Sequence, residues 1–406
     1  MGEFYEPAVF KSNLIIRKEE SMSTLKEQIA KSFMAMASGL ESGQFGDKPK
    51  IALTGMGSEH GEENSMQAAV LAAKRGIDVY YIGTAENPLV KTIKVKDDEE
   101  GHKVMEKMVD SKEVDAAVTM HYPFPIGVST VGRVVTPAHG KEMFIANTTG
   151  TSSTDRVEGM VINAISGIIV AKATGIKNPT VGILNIEGAK AVEKALNELK
   201  AGGYEFTWGE SKRADGGVCL RGNDVLQGTT DILVTDSLTG NVLMKVMSAF
   251  MTGGNYEASG FGYGPGIGIG YDKLVFIVSR ASGAPVLANA MTLAGDLVRS
   301  GIINIAKEEF NKAKKAGLDN ILAGIKAKNK ASTAGDADDV KMPPKEPVPA
   351  GILGIEVMDL EDAVKALWKE GIYAESGMGC TGPVVMTSEP NEAKAREILK
   401  KAGYIS

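Results

Sequence analysis

The chain has 406 residues, 42.8 kDa, with 43% hydrophobic and 24% charged residues. That composition excludes a disordered or fibrous protein and fits a globular one of two or three domains. Its 45 Lys+Arg against 51 Asp+Glu leave a net charge of −6, the reverse of the basic surplus of a nucleic-acid binder, and 6% aromatics provide few platforms for stacked bases. No run of about 18 apolar residues predicts a membrane span. Residues 1–20 lack a signal-peptide layout, and two cysteines exclude a disulfide scaffold, so the expected location is a reducing cytoplasm, away from membranes.

Residues 1–49 are expected to form an N-terminal helical segment, with Leu25, Ile29 and Phe33 at i, i+4, i+8 on a face that packs on the next domain. From residue 50, strands alternate with helices. Strands are predicted at 51–53, 78–82, 116–120, 143–146, 181–186, 231–235 and 274–279. Helices are predicted at 65–75, 104–109, 157–174, 191–200 and 242–250, with a long helical region at 286–314. This alternation defines an α/β body over 50–330, a mostly parallel sheet flanked by helices, with ligands beyond the C-terminal strand ends. Residues 331–349 are polar and proline-rich and read as a linker. Residues 350–406 read as a small βαβα module carrying Cys380.

The chemistry centres on a few loops. Cys380 sits in Gly377-Met-Gly-Cys-Thr-Gly-Pro383, where glycines open the backbone and free N–H groups would lower a thiol pKa and stabilise an oxyanion; the alternative is a tight turn that happens to hold a cysteine. Cys219 lies in an apolar stretch and reads as structural. Asp236-Ser-Leu-Thr-Gly-Asn-Val-Leu-Met-Lys245 joins a strand to a helix. Asp236, Thr239, Gly240, Asn241 and Lys245 are candidates for holding an anion at the helix N-terminus, or the motif is an ordinary capped helix. Thr148–Arg156 follows a strand, and Ser153 and Arg156 either meet the same anion or cap the next helix. His121 lies just past a strand end, as a functional or a core histidine. The four histidines show no zinc spacing, so no metal site is expected. The glycine-rich segments 55–61 and 260–270 fit neither the P-loop nor the dinucleotide fingerprint.

Two resemblances meet at these segments. Pro179-Thr-Val-Gly-Ile-Leu-Asn-Ile-Glu-Gly188 and Leu220–Lys245 resemble the acyl-ACP:phosphate acyltransferases and, more distantly, the phosphate acetyltransferases. Nearly the whole chain resembles the alpha subunits of protein C of the glycine/sarcosine/betaine reductase complexes of anaerobic bacteria, through 121–136, 236–245 and Gly379-Cys-Thr-Gly-Pro383. The resemblance implies a phosphate acyltransferase-like fold and a role in which the carboxymethyl-selenoether of selenoprotein A becomes an acetyl thioester on Cys380. Inorganic phosphate, the co-substrate, then releases acetyl phosphate. It implies a protein C beta subunit and protein A as partners, and no cofactor besides phosphate. The Ser-Ala-Gly-Asn-Thr-Gly loop of the acyltransferases is replaced here by His121-Tyr-Pro-Phe-Pro-Ile-Gly-Val-Ser-Thr130, a departure that a covalent cysteine intermediate explains. The alternative is a free-standing phosphate acyltransferase using CoA or carrier-protein thioesters.

Overall fold

The structure is a computed structural model that describes residues 29–40 except 31, 35 and 38, residues 48–333 except 215, and residues 340–405 except 356–358, 380 and 381. Five strands form one parallel half of a large sheet. They are β1 (Lys50–Thr54), β2 (Asp78–Gly83), β3 (Lys91–Lys94), β4 (Ala116–Thr119) and β12 (Val275–Ile277), in the order β3-β2-β1-β4-β12. The other half orders β6 (Glu142–Thr151), β10 (Ile232–Val234), β7 (Thr180–Leu184) and β8 (Thr207–Trp208), with β9 (Cys219–Leu220) also on β7. Between the halves, β11 (Gly264–Gly268) runs antiparallel to β12 and to β5 (Val128–Val135), and β5 antiparallel to β6. The two parallel halves therefore point in opposite directions, and their C-terminal strand ends open on opposite edges of the sheet.

The inner strands are unbroken apolar runs because helices cover both faces; Ile51, Ala52 and Leu53 are fully buried. Helices α1 (Gly61–Lys74) and α2 (Asp98–Asp110) complete the first half, and α3 (Arg156–Ala173), α4 (Ala189–Ala201), α5 (Gly222–Gln227) and α6 (Ser237–Ala249) the second. Helix α3 is apolar all round because it lies between the sheet and the later helices. The long helical region expected at 286–314 is made of two helices, α7 (Ala284–Ser300) and α8 (Ile302–Lys315), bent by 65° at Gly301, whose φ of 70° an L side chain rarely adopts. Helix α9 (Leu318–Thr333) follows. Among the described residues no single helix is long and apolar enough to cross a membrane, and the bent pair that passes by composition contributes Leu287, Met291, Leu293 and Leu297 to the core.

Three segments differ from expectation. The glycine-rich segment 260–270, where the sequence predicts no strand, contains β11, buried throughout. Its glycines answer crowding, since a Cβ at Gly264 would lie 1.8 Å from the Val131 carbonyl oxygen and one at Gly266 2.4 Å from the Phe124 ring. Residues 29–40 are helical where described, but Ile29 and Phe33 are 48% and 68% exposed, so that face does not bury on the body; Leu25 lies outside the described residues. The C-terminal module has one strand more than the expected βαβα pattern. It runs β13 (Ala350–Leu353), α10 (Leu360–Lys369), β14 (Ala374–Gly379), β15 (Gly382–Thr387) and α11 (Glu392–Lys401), with antiparallel order β13-β15-β14. Its own core contains Ile352, Leu360, Leu367, Val385 and Leu399. Helix α10 touches the body where Thr154 Oγ1 donates to Glu361 Oε1 at 2.8 Å. The β14–β15 register ends at Gly379↔Gly382; Cys380 and Thr381 between them lie outside the described residues.

Candidate active site

The first half of the sheet has its switch point between β1 and β4. The chain leaves β1 for β2 on one side and returns to β4 on the other, which leaves a crevice beyond the strand ends. Three loops meet there. The loop after β1 runs Gly55–His60, and a Cβ at Gly55 would lie 2.1 Å from the Tyr81 ring, so only glycine passes. The loop after β4 carries His121. The turn after β12 runs Ser279-Arg280-Ala281-Ser282-Gly283 into α7. Cross-bonds fix the first loop to the last: Glu59 N donates to Arg280 O at 2.9 Å, and the Asn64 amide donates to Ser282 O at 3.1 Å. His60 Nε2 lies 3.3 Å from Ala281 O.

This crevice is cationic and hydroxyl-bearing. Lys245 reaches it from the far end of α6, its Nζ 2.8 Å from Ser279 Oγ and 2.7 Å from the buried Glu257 carboxylate. Ser279 Oγ also accepts from Ala281 N at 3.1 Å. With two donors on its oxygen, the hydroxyl proton is left to donate outward. Arg280 is exposed, and among the described residues its guanidinium has no carboxylate partner. His121 is half-buried and stacks edge-on against His102 at 5.6 Å, which in turn lies 3.5 Å from Asp98. Burial, then the charges of His102 and Arg280, lower the His121 pKa below 6.5, with Asp98 opposing, so its imidazole is neutral at pH 7.

That shift predicts a pH dependence. Between 6.5 and the lower folded pKa, the unfolded chain binds a proton at His121 that the folded chain does not, so stability falls as pH drops through this window. Melting curves across pH 5 to 7 should show a decline that His121→Gln reduces; an unchanged slope in the variant would remove His121 as its source.

The second half places six of the candidate residues together on the opposite edge. Asp236 caps α6, accepting from Thr239 N at 2.8 Å and from Thr239 Oγ1 at 3.0 Å. It also accepts from Arg156 Nη2 at 2.7 Å. Asn241 Nδ2 donates to Thr148 O at 3.0 Å, and Ser153 Oγ to Glu158 at 2.6 Å. Gly240 is glycine for packing: a Cβ there would lie 1.7 Å from the Asn147 carbonyl oxygen. The helix terminus thus holds its own carboxylate, and Arg156 serves Asp236 and Glu187. An added phosphate there would face those carboxylates. The expected grouping of Lys245 with this terminus is corrected: six residues beyond Thr239 on α6, its ammonium joins the other crevice. Cys219 is half-buried, its Sγ 3.8 Å from Glu193, and burial raises its thiol pKa.

Sequence reasoning missed Ser279, Arg280 and Glu257. Ser279-Arg280 directly follows the apolar run Leu274–Val278, so the strand-end rule that singled out His121 would have found it. Among the described residues, no group of three or more His, Cys, Asp or Glu side chains could hold a metal ion.

The pattern of the fatty acid synthesis protein family matches residues 49–386, and the chain belongs to that family. The alpha subunit of component C of the glycine/sarcosine/betaine reductase complex of Peptoclostridium acidaminophilum is 56% identical over 388 residues, 95% of this chain and 100% of that protein. A phosphate acyltransferase of Thermotoga petrophila is 27% identical over 236 residues, 50% of this chain and 68% of the relative. Among solved structures, a branched-chain phosphotransacylase from Enterococcus faecalis aligns with a TM-score of 0.43 at 16% identity, over 61% of this chain and 99% of that one.

Proposed function

We propose that the chain is the alpha subunit of the acetyl phosphate-forming component of a glycine/sarcosine/betaine reductase complex, working with a beta subunit and selenoprotein A in the cytoplasm. The observation that carries this reading is the full-length match to the component C alpha subunit. In the first step, the C–Se bond of the carboxymethyl-selenoether on protein A breaks and the methylene carbon takes up a proton and is reduced to methyl; the selenium is oxidised, its new bond going to a thiol of protein A, while the Cys380 sulfur bonds to the carboxyl carbon and one carboxylate oxygen leaves as water. In the second, a phosphate oxygen attacks the thioester carbonyl, the C–O bond forms, the C–S bond breaks, and Cys380 recovers its thiolate. Inorganic phosphate is the co-substrate, and no further cofactor takes part.

The crevice at β1, β4 and β12 is our choice for the phosphate step. Arg280 supplies an exposed guanidinium suited to phosphate oxygens. The Ser279 hydroxyl donates to the carbonyl oxygen as it gains charge, the work of an oxyanion hole. The phosphate acyltransferase relatives favour a second reading, a free-standing enzyme using acyl-CoA or acyl-carrier thioesters. Turnover of the complex without phosphate distinguishes the two. Intact mass should show one acetyl group, mapped to Cys380. An unmodified chain that instead converts acetyl-CoA and phosphate to acetyl phosphate without partners would establish the second reading.

A further inference from the structure

Glu257 is 0% exposed, the most deeply buried carboxylate among the described residues. It lies in the segment between α6 and β11, far in sequence from the turn it serves. Its Oε1 takes the Lys245 ammonium at 2.7 Å and the Tyr263 hydroxyl at 3.1 Å, and its Oε2 takes the Ser282 hydroxyl at 2.7 Å. Its backbone grips the same turn: Glu257 N donates to Ala281 O, and Glu257 O accepts from Gly283 N, both at 2.9 Å. Ser282 Oγ in turn accepts from Ser279 N at 3.1 Å. Two of the three side-chain partners of this carboxylate, Lys245 and Ser282, themselves bond to Ser279.

A buried charge is costly to keep, and a lysine stem loses rotamer freedom when held in one place. Without a fixed counter-charge the Lys245 ammonium would turn to water, since the side chain is 45% exposed. Ser279 Oγ would then lose one of its two donors, and its proton would no longer be forced outward. We infer that Glu257 is a positioning residue for acyl transfer: it pins the Lys245 ammonium on Ser279 Oγ, so that the serine hydroxyl faces the crevice as a hydrogen-bond donor. Being wholly buried, Glu257 touches no substrate. The inference rests on the proposed use of the Ser279 crevice.

The test is a double-mutant cycle on the full chain, read as arsenate-dependent hydrolysis of acetyl phosphate. Glu257→Gln should lower kcat about tenfold or more while KM for arsenate stays within about twofold, because an oriented donor is lost and the anion's own contacts remain. Lys245→Met should show the same split, and the double variant should be no slower than Lys245→Met alone, because both act through one contact. Ser282→Ala keeps the charge but frees Oε2, and should give the same KM-sparing loss, smaller at about threefold. Multiplying losses in the double variant, or full activity in both Glu257→Gln and Ser282→Ala, would overturn the positioning role. Should Glu257→Gln fail to fold, Ser282→Ala decides alone. Full turnover in Ser279→Ala would instead remove the underlying assignment of the crevice, whatever Glu257 does.

Discussion

Replacing Cys380 with alanine is expected to abolish acetyl phosphate formation, with a fall on the order of 10⁴-fold or more, the scale of losing a covalent nucleophile. Without the sulfur there is no thioester, and the acetyl group has no carrier between protein A and phosphate. Cys219→Ala is the matched control and should stay near full activity. The Cys219 thiol is half-buried, and burial raises its pKa, with Lys190 opposing and Glu193 adding to the rise, so little thiolate is present at neutral pH. The same contrast should appear in alkylation of the native protein: iodoacetamide should label Cys380 before Cys219. Acetyl phosphate trapped as the hydroxamate reads the first experiment and peptide mapping the second. Robust product from Cys380→Ala, or first labelling at Cys219, would move the carrier role away from residue 380.

The alternation of strands and helices was legible because central parallel strands are continuous apolar runs and the helices between them are periodic; β1, β7, α3 and α4 lie within a few residues of the spans predicted. Strand β11 was not, because Gly264-Pro-Gly-Ile-Gly268 has the composition of a turn. Its glycines exist because Val131, Phe124 and Gly127 from neighbouring segments leave no room for a side chain, and that crowding is a long-range fact. The reversal of direction between the halves was hidden for the same reason, since β11 and β5 create it. The Asp236–Lys245 motif was correctly placed at a strand-to-helix junction. A local reading could not show that a thirteen-residue helix carries its two polar ends to different crevices. Nor could it show that Arg156, a cation in the right loop, is already held by Asp236.

Those two crevices make opposite predictions about where phosphate binds. If the anion lies at the β1–β4–β12 ends, Arg280→Ala should raise KM for phosphate about 10- to 100-fold, the range of one charge-assisted contact. Ser279→Ala should lower kcat about 10²- to 10³-fold, as removal of an oxyanion donor does. Arg156→Ala should leave KM for phosphate unchanged. Its effect should be on stability, about 2 kcal/mol, because the Asp236 side chain is only 17% exposed and would lose its guanidinium partner. If the anion instead lies at the start of α6, the pattern inverts: Arg156→Ala raises KM and Arg280→Ala does not. The geometry favours the first outcome. Asp236 already places a carboxylate on the free N–H groups of α6, and a phosphate added there meets like charge. Arg280 faces the other crevice with no carboxylate among the described residues to neutralise it, beside a serine whose proton is free to donate. Steady-state kinetics of the three variants with phosphate varied, together with their melting temperatures, decides between the two edges of the sheet.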